Sequence, residues 1–132
     1  MLNKLTCGIF YSMKKKILLA EDDQPIIEVV RIILQNEGYE VLVANHGEAV
    51  HTIVERDHPD MIILDIWLFG EDGGKIAKEI KAKSESRHIP LILMSANSET
   101  EKITQAVGAN DFLLKPFNIE DLLYIVRKYI KS

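Results

Sequence analysis

This 132-residue chain has one cysteine, no excess of positive charge and no long apolar run, and each lack removes a class of function. The single cysteine, Cys7, cannot form an internal disulfide, which fits a reducing compartment such as the cytoplasm. Sixteen Lys and Arg stand against twenty Asp and Glu, and the net charge of −4 argues against nonspecific binding to nucleic acid or an anionic membrane surface. No apolar run approaches the ~20 residues that span a bilayer. A secretory signal is a poor reading of the start, because its apolar stretch is short and Lys14-Lys15-Lys16 follow it instead of preceding it. There is no repeat, no low-complexity tract and no room for a second domain. Residues 1–13 read as a loosely ordered extension, and residues 14–132 as one domain.

What is present is alternation. Hydrophobic residues make up 47% of the chain and charged residues 27%, a balance that can bury a core and keep a polar surface. Short Ile- and Leu-rich runs alternate with helix-like stretches five times, which predicts a doubly wound α/β fold: a five-stranded parallel sheet with helices on both faces. The expected strands are 16–20, Glu40–Ala44, a run ending at Leu64, Leu91–Met94 and Asp111–Leu114. The expected helices begin at Gln24-Pro25 and end at Gly38, then cover Glu48–Arg56, Gly74–Lys83, Ser98–Val107 and Ile119–Lys131. In the last helix, Ile119, Leu122, Leu123, Val126 and Ile130 are expected to form the core stripe. Ile125 and Tyr129 flank it, and Tyr124 projects opposite.

Three charged stations sit where apolar runs stop: Glu21-Asp22-Asp23 after Ile17-Leu18-Leu19-Ala20, Asp65 after Met61-Ile62-Ile63-Leu64, and Lys115-Pro116 after Phe112-Leu113-Leu114. In a parallel sheet all strand C-termini lie on one edge, where open α/β folds bind ligands. Two carboxylates about 5 Å apart repel by roughly 3 kcal/mol at an effective dielectric of 20, so such a cluster calls for a cation. Hard oxygen donors that leave waters in place suit Mg2+. An aspartate at a strand end can simply cap a turn, but a carboxylate there can also act as a nucleophile and form an aspartyl phosphate. Lys115 would then hold one phosphoryl oxygen as a point charge, and the Ser95 hydroxyl another.

These pieces closely resemble the receiver domain of two-component response regulators. The matching segments are residues 17–23, Leu64-Asp65-Ile66 with Asp72-Gly73, Met94-Ser95-Ala96, and Gly108-Ala109-Asn110-Asp111-Phe112-Leu113-Leu114-Lys115-Pro116-Phe117, and the likeness covers about Lys15 to Lys131. The resemblance implies that Asp65 accepts a phosphoryl group from a sensor histidine kinase or phosphotransfer protein. It implies Mg2+ (or Mn2+) bound by Asp22, Asp65 and the main-chain carbonyl of Trp67, with Glu21 acting through water. Ser95 and Phe112 take the switch positions and Lys115 the lysine position, while Trp67 and Asn97 influence loss of the phosphoryl group. Strand order 2-1-3-4-5 and a cis Lys115–Pro116 bond are also implied. Two positions depart from the family pattern: Phe69 stands where proline is usual, and Trp67 is bulky for its place.

Competing classes fit less well. A flavodoxin-like cofactor binder needs a glycine-bearing phosphate cradle after strand 1, where this chain has three acids and a glutamine. A haloacid-dehalogenase-type phosphatase wants a second aspartate two residues after the nucleophile, where this chain has Trp67. A receiver-like protein–protein module that works without phosphorylation is the remaining alternative. The expectation is a signalling protein, not an enzyme, although it catalyses its own phosphotransfer and dephosphorylation. With no DNA-binding segment following Lys131, output is expected through protein contact of the helix 4–strand 5–helix 5 face. The sequence leaves open whether the partner on that face is a kinase, a phosphotransfer protein, a downstream effector or a second copy in a homodimer.

Overall fold

Ile17, Leu18, Leu19 and Ala20 are all fully buried, as a strand covered on both faces requires. The structure, a computed structural model, describes residues 14–68 and 70–130. The extension assigned to residues 1–13 therefore lies outside the described residues. Five parallel strands form the sheet: β1 (Lys16–Ala20), β2 (Glu40–Ala44), β3 (Met61–Asp65), β4 (Leu91–Ser95) and β5 (Asp111–Leu114). Their spatial order is β2-β1-β3-β4-β5, as the resemblance implied. Between them run α1 (Gln24–Asn36), α2 (Gly47–Asp57), α3 (Gly73–Ala82) and α4 (Thr100–Val107), and α5 (Ile119–Tyr129) follows β5.

Alternation along each strand divides the interior into two layers. Leu18, Ala20, Ile62, Leu64, Leu91 and Leu93 point to one face and pack with Val50 and Val54 of α2 and Ile76 and Ile80 of α3. Ile17, Leu19, Met61, Ile63, Ile92 and Met94 point to the other, against Ile27, Val30 and Leu34 of α1 and Leu122 and Val126 of α5. Each fully buried Leu or Ile contributes roughly 1.5–3 kcal/mol, so the sheet is the stable frame on which the strand ends are held.

Local signals set the helix ends. Asp23 caps α1 by accepting from the Ile26 N–H, with Pro25 in the first turn. Asn118 and Asp121 form a reciprocal capping box at the start of α5. Gly108 ends α4 with φ +79, a left-handed conformation that costs glycine little.

Three features differ from expectation. Residues Trp67–Leu68 and Glu71–Asp72 pair as a short antiparallel ribbon where the sequence suggested only a loop. Helix α4 starts at Thr100, because the Asn97 carboxamide oxygen accepts from the Glu99 N–H and holds residues 97–99 in a turn. In α5 the buried set is Leu122, Ile125 and Val126, joined by Ile130 at its C-cap. Ile119 follows the Asn118 cap directly, ahead of the first packed turn, and is 54% exposed, while Ile125 is core instead of flank. Tyr124 projects outward as expected, at 67% exposure.

Candidate functional site

Parallel pairing brings the ends of β1, β3, β4 and β5 to one rim. Ala20 pairs with Leu64, Asp65 with Met94, and Ser95 with Leu114, so Glu21, Asp65, Ser95 and Lys115 all emerge there. Glu21 is fully buried, and Asp65 and Ser95 are nearly so. Carboxylate oxygens of Glu21, Asp22 and Asp65 all lie within 4.8 Å of one another. Lys115 Nζ lies 2.8 Å from Asp65 Oδ2 and 2.7 Å from Glu21 Oε1. Only the first contact is aligned as a hydrogen bond. Glu21 Oε1 is, among the described residues, the one buried side-chain oxygen with no hydrogen-bond partner.

The backbone fixes the acids in different ways. Glu21 Oε2 accepts from the N–H groups of Asp22 and Asp23, at 3.0 and 3.2 Å, which folds the first acidic side chain back over the turn. Asp23 is exposed and occupied in capping α1, so the metal-directed member of the pair is Asp22. Asp65 Oδ1 accepts from the Trp67 N–H at 3.1 Å. Beneath it, the Gly73 N–H donates to the Ile66 carbonyl at 2.6 Å. A Cβ on Gly73 would sit 2.3 Å from the Asp65 carbonyl oxygen, so this position must be glycine for β3 to meet α3. The motif Asp72-Gly73 does not by itself reveal that contact. A glycine directly after a helix-capping aspartate was the signal available.

Electrostatics follow from burial and crowding. Burial, and next the adjacent Asp65, push the Glu21 carboxyl up from 4.5 to about 7, with Lys115 only partly offsetting them. Burial works against the Lys115 ammonium, but its contacts to Asp65 and Glu21 outweigh that and raise its pKa above the ordinary 10.5. Three carboxyl groups facing one ammonium form a site that a cation would relieve, and a bound cation would favour the ionised form of Glu21. An all-oxygen donor set that includes a buried oxygen without a hydrogen bond fits Mg2+.

The other expected residues are nearby but differently engaged. Ser95 Oγ accepts from the Asn97 N–H at 2.9 Å, and the Ser95 carbonyl accepts from the Lys115 N–H at 2.9 Å. Phe112 is half-buried and packs on the core beside α4. It pairs with Leu93, two residues below Ser95 on the neighbouring strand. The Trp67 indole is 59% exposed, and Asn97 is exposed with its side chain engaged in the turn before α4. The Lys115–Pro116 bond is cis.

Residues 17–127 match the model of the response regulator receiver domain. This chain belongs to that family. The "transcriptional regulatory protein KdpE" of Staphylococcus aureus is 37% identical over 125 residues, covering 91% of this chain and 53% of that protein. The receiver domain thus spans about half the length of this curated relative. Among solved structures, the chemotaxis response regulator CheY4 of Vibrio cholerae is 28% identical with a TM-score of 0.83, covering 89% of this chain and 100% of that one. The receiver domain of a sensor histidine kinase from Pseudomonas aeruginosa was solved with a magnesium ion coordinated in its active-site cleft. It is 33% identical with a TM-score of 0.81, covering 90% of this chain and 99% of that one. Membership carries a phosphorylation-dependent signalling role in a two-component system. Among the described residues no helix is long and apolar enough to cross a membrane.

Proposed function

We propose that Asp65 accepts a phosphoryl group from a histidine kinase or phosphotransfer protein. Mg2+ or Mn2+ is held by Asp22, Asp65 and the main-chain carbonyl of Trp67, with Glu21 acting through water. One observation carries the reading: the Asp65 carboxylate stands on a buried strand end between the Lys115 ammonium and the Glu21–Asp22 pair. The bound cation supplies neutralisation of the transferring phosphoryl oxygens.

The chain's own residues then have separable tasks. An Asp65 carboxylate oxygen attacks phosphorus. The new P–O bond forms as the donor's P–N bond breaks, its electron pair leaving with the imidazole nitrogen. Lys115 turns from Asp65 Oδ2 to a phosphoryl oxygen. The Ser95 oxygen already accepts from Asn97, which leaves its hydroxyl hydrogen for a second phosphoryl oxygen. An apolar groove of about 400 Å³ beside Lys115, lined by Pro25, Ile26, Val29 and Phe117, gives the donor protein a seat next to the acceptor. The protein is a switch that catalyses its own phosphorylation and dephosphorylation, and its place is the cytoplasm.

Output runs through α4, β5 and α5. Drawing the Ser95 hydroxyl toward the phosphoryl group vacates space into which the half-buried Phe112 ring turns, biasing a two-state surface. Leu114, Ile119 and Tyr124 leave that surface partly apolar, suited to an effector protein or a second copy.

Incubation with acetyl phosphate tests the assignment. Label should appear only with Mg2+ or Mn2+ and vanish completely in Asp65→Asn, which is nearly isosteric. Substantial label on that variant would move the acceptor elsewhere. An unlabelled wild-type protein would make this an interaction module that works without phosphorylation.

A further inference from the structure

We infer that Glu71 is a positioning residue for the metal-binding backbone at Trp67, acting as a latch between the loop after β3 and the start of α2. The inference rests on the metal site proposed above. Trp67, whose carbonyl faces the cation in that reading, belongs to a ribbon only two residues long on each side, Trp67 paired with Asp72 and Leu68 with Glu71. A two-stranded ribbon of this size has little stability of its own in water. Its return strand must be tied down elsewhere, and it is tied at consecutive residues. Asp72 accepts from the Gly74 and Lys75 N–H groups and caps α3. Glu71 reaches across to α2, where Oε2 accepts from the Gly47 N–H at 2.9 Å.

Both sides of that second tie are shaped for it. Helix α2 receives no side-chain cap from its own N-cap residue, His46, whose ring is instead bonded to Asn45. The carboxylate of Glu71 therefore supplies the missing acceptor at the positive end of the helix. Gly47 is buried, and its backbone is not in the left-handed region, so conformation does not demand glycine there. A Cβ would lie 2.8 Å from Glu71 Oε1 and 3.0 Å from Ile76 Cδ1, so a side chain at 47 would push the end of Glu71 out of its present place. The missing side chain at 47 and the carboxylate at 71 are two halves of one contact, 24 residues apart in sequence. Glu71 touches no metal ligand itself; it fixes the strand paired with the ligand-bearing one, a step beyond the outer partners that orient metal ligands directly.

Mg2+ titration of the full chain, followed by the amide shifts of Asp22 and Trp67, tests this. Glu71→Ala and Gly47→Ala should each raise the Mg2+ dissociation constant about tenfold, whereas Glu71→Gln, which still accepts from Gly47, should stay within about twofold of wild type. Far-UV circular dichroism confirms that each variant is folded. If Glu71→Ala binds Mg2+ like wild type while the Gly47 amide loses hydrogen-exchange protection, Glu71 only caps α2 and the inference is wrong. A wild-type protein that binds no Mg2+ would instead overturn the metal site itself, and this inference with it.

Discussion

The two rims of the sheet use their charged and polar groups in opposite ways. At the N-terminal rim several close the chain on itself. Asp60 accepts from the Lys16 N–H, Asn110 from the Leu91 N–H, and Asp111 from the Tyr129 hydroxyl and Lys128. Lys81 donates to the carbonyls of Arg87 and Ile89. At the C-terminal rim three carboxylates crowd one lysine, and a buried Glu21 oxygen has no hydrogen bond. Buried charge without full pairing is costly, and it is found here at the site proposed to bind a cation and a phosphoryl group. Matching holds a fold together; mismatch, held in place by that fold, is what can bind.

Glycine substitutions should break this contrast most visibly. Gly73→Ala drives a Cβ into the backbone of the acceptor strand and should cost about 3 kcal/mol, together with most of the phosphoryl label. Gly108→Ala, at the end of α4 that leads into the opposite rim, meets nothing within 4 Å. It should cost only the left-handed backbone, about 1 kcal/mol, and leave labelling intact. Urea midpoints and label counts read both. Equal losses of stability and label would mean that the two rims tolerate change alike.

Within the acidic turn the same contrast sharpens to neighbouring residues. Asp22→Ala should weaken Mg2+ binding by at least tenfold, as loss of a direct ligand must exceed the roughly tenfold cost of losing an outer partner. Asp23→Ala should leave Mg2+ affinity nearly unchanged and lower stability by about 1 kcal/mol through loss of the α1 cap. Titrating both variants by calorimetry decides it. Matching effects would place the ligand wrongly within the turn.

The rims should also respond to pH with opposite sign. The Glu21 carboxyl is raised to about 7, so between 4.5 and about 7 the folded metal-free protein holds a proton that the unfolded chain has lost. Stability therefore falls as pH rises through that window. Mg2+ or the Glu21→Gln change should flatten the slope. Burial pushes Asp111 up, but its bonds from Phe112, Tyr129 and Lys128 prevail and lower it below 3.8. Its contribution is present above 3.8 and is lost as pH falls through the lowered value. Thermal melts from pH 3 to 8, with and without Mg2+, follow both. A stability that rose between pH 4.5 and 7 without metal would contradict the Glu21 assignment.

Much of this was legible in the chain, because apolar runs of four residues ending in a charge leave little choice of where that charge emerges. Asp65 and Lys115 could be placed that way, and family likeness chose Asp22 over Asp23. The α5 face was misread at Ile119 and Ile125 because apolar residues surround much of that helix, and periodicity alone does not say which turn first meets the sheet. The ribbon after β3 and the Glu71–Gly47 contact left no local signal. Both depend on segments distant in sequence arriving side by side, which only the assembled fold determines.

The smallest expected effect concerns Trp67, which stands at the boundary between the reactive rim and solvent. Hydrolysis of the aspartyl phosphate needs a water in line with the leaving oxygen, and a large ring two residues beyond the acceptor narrows that approach. With 59% of its surface exposed, however, the indole covers the site only in part. Trp67→Asn should therefore speed loss of label modestly, by about threefold, which corresponds to under 1 kcal/mol of barrier. Since Trp67 is the only tryptophan, its emission reports on the site directly. It should change on adding Mg2+ and again on adding acetyl phosphate. Unchanged emission with identical decay of label in the two proteins would make the ring a bystander. A Mg2+ response with identical decay would show that only its backbone serves the site.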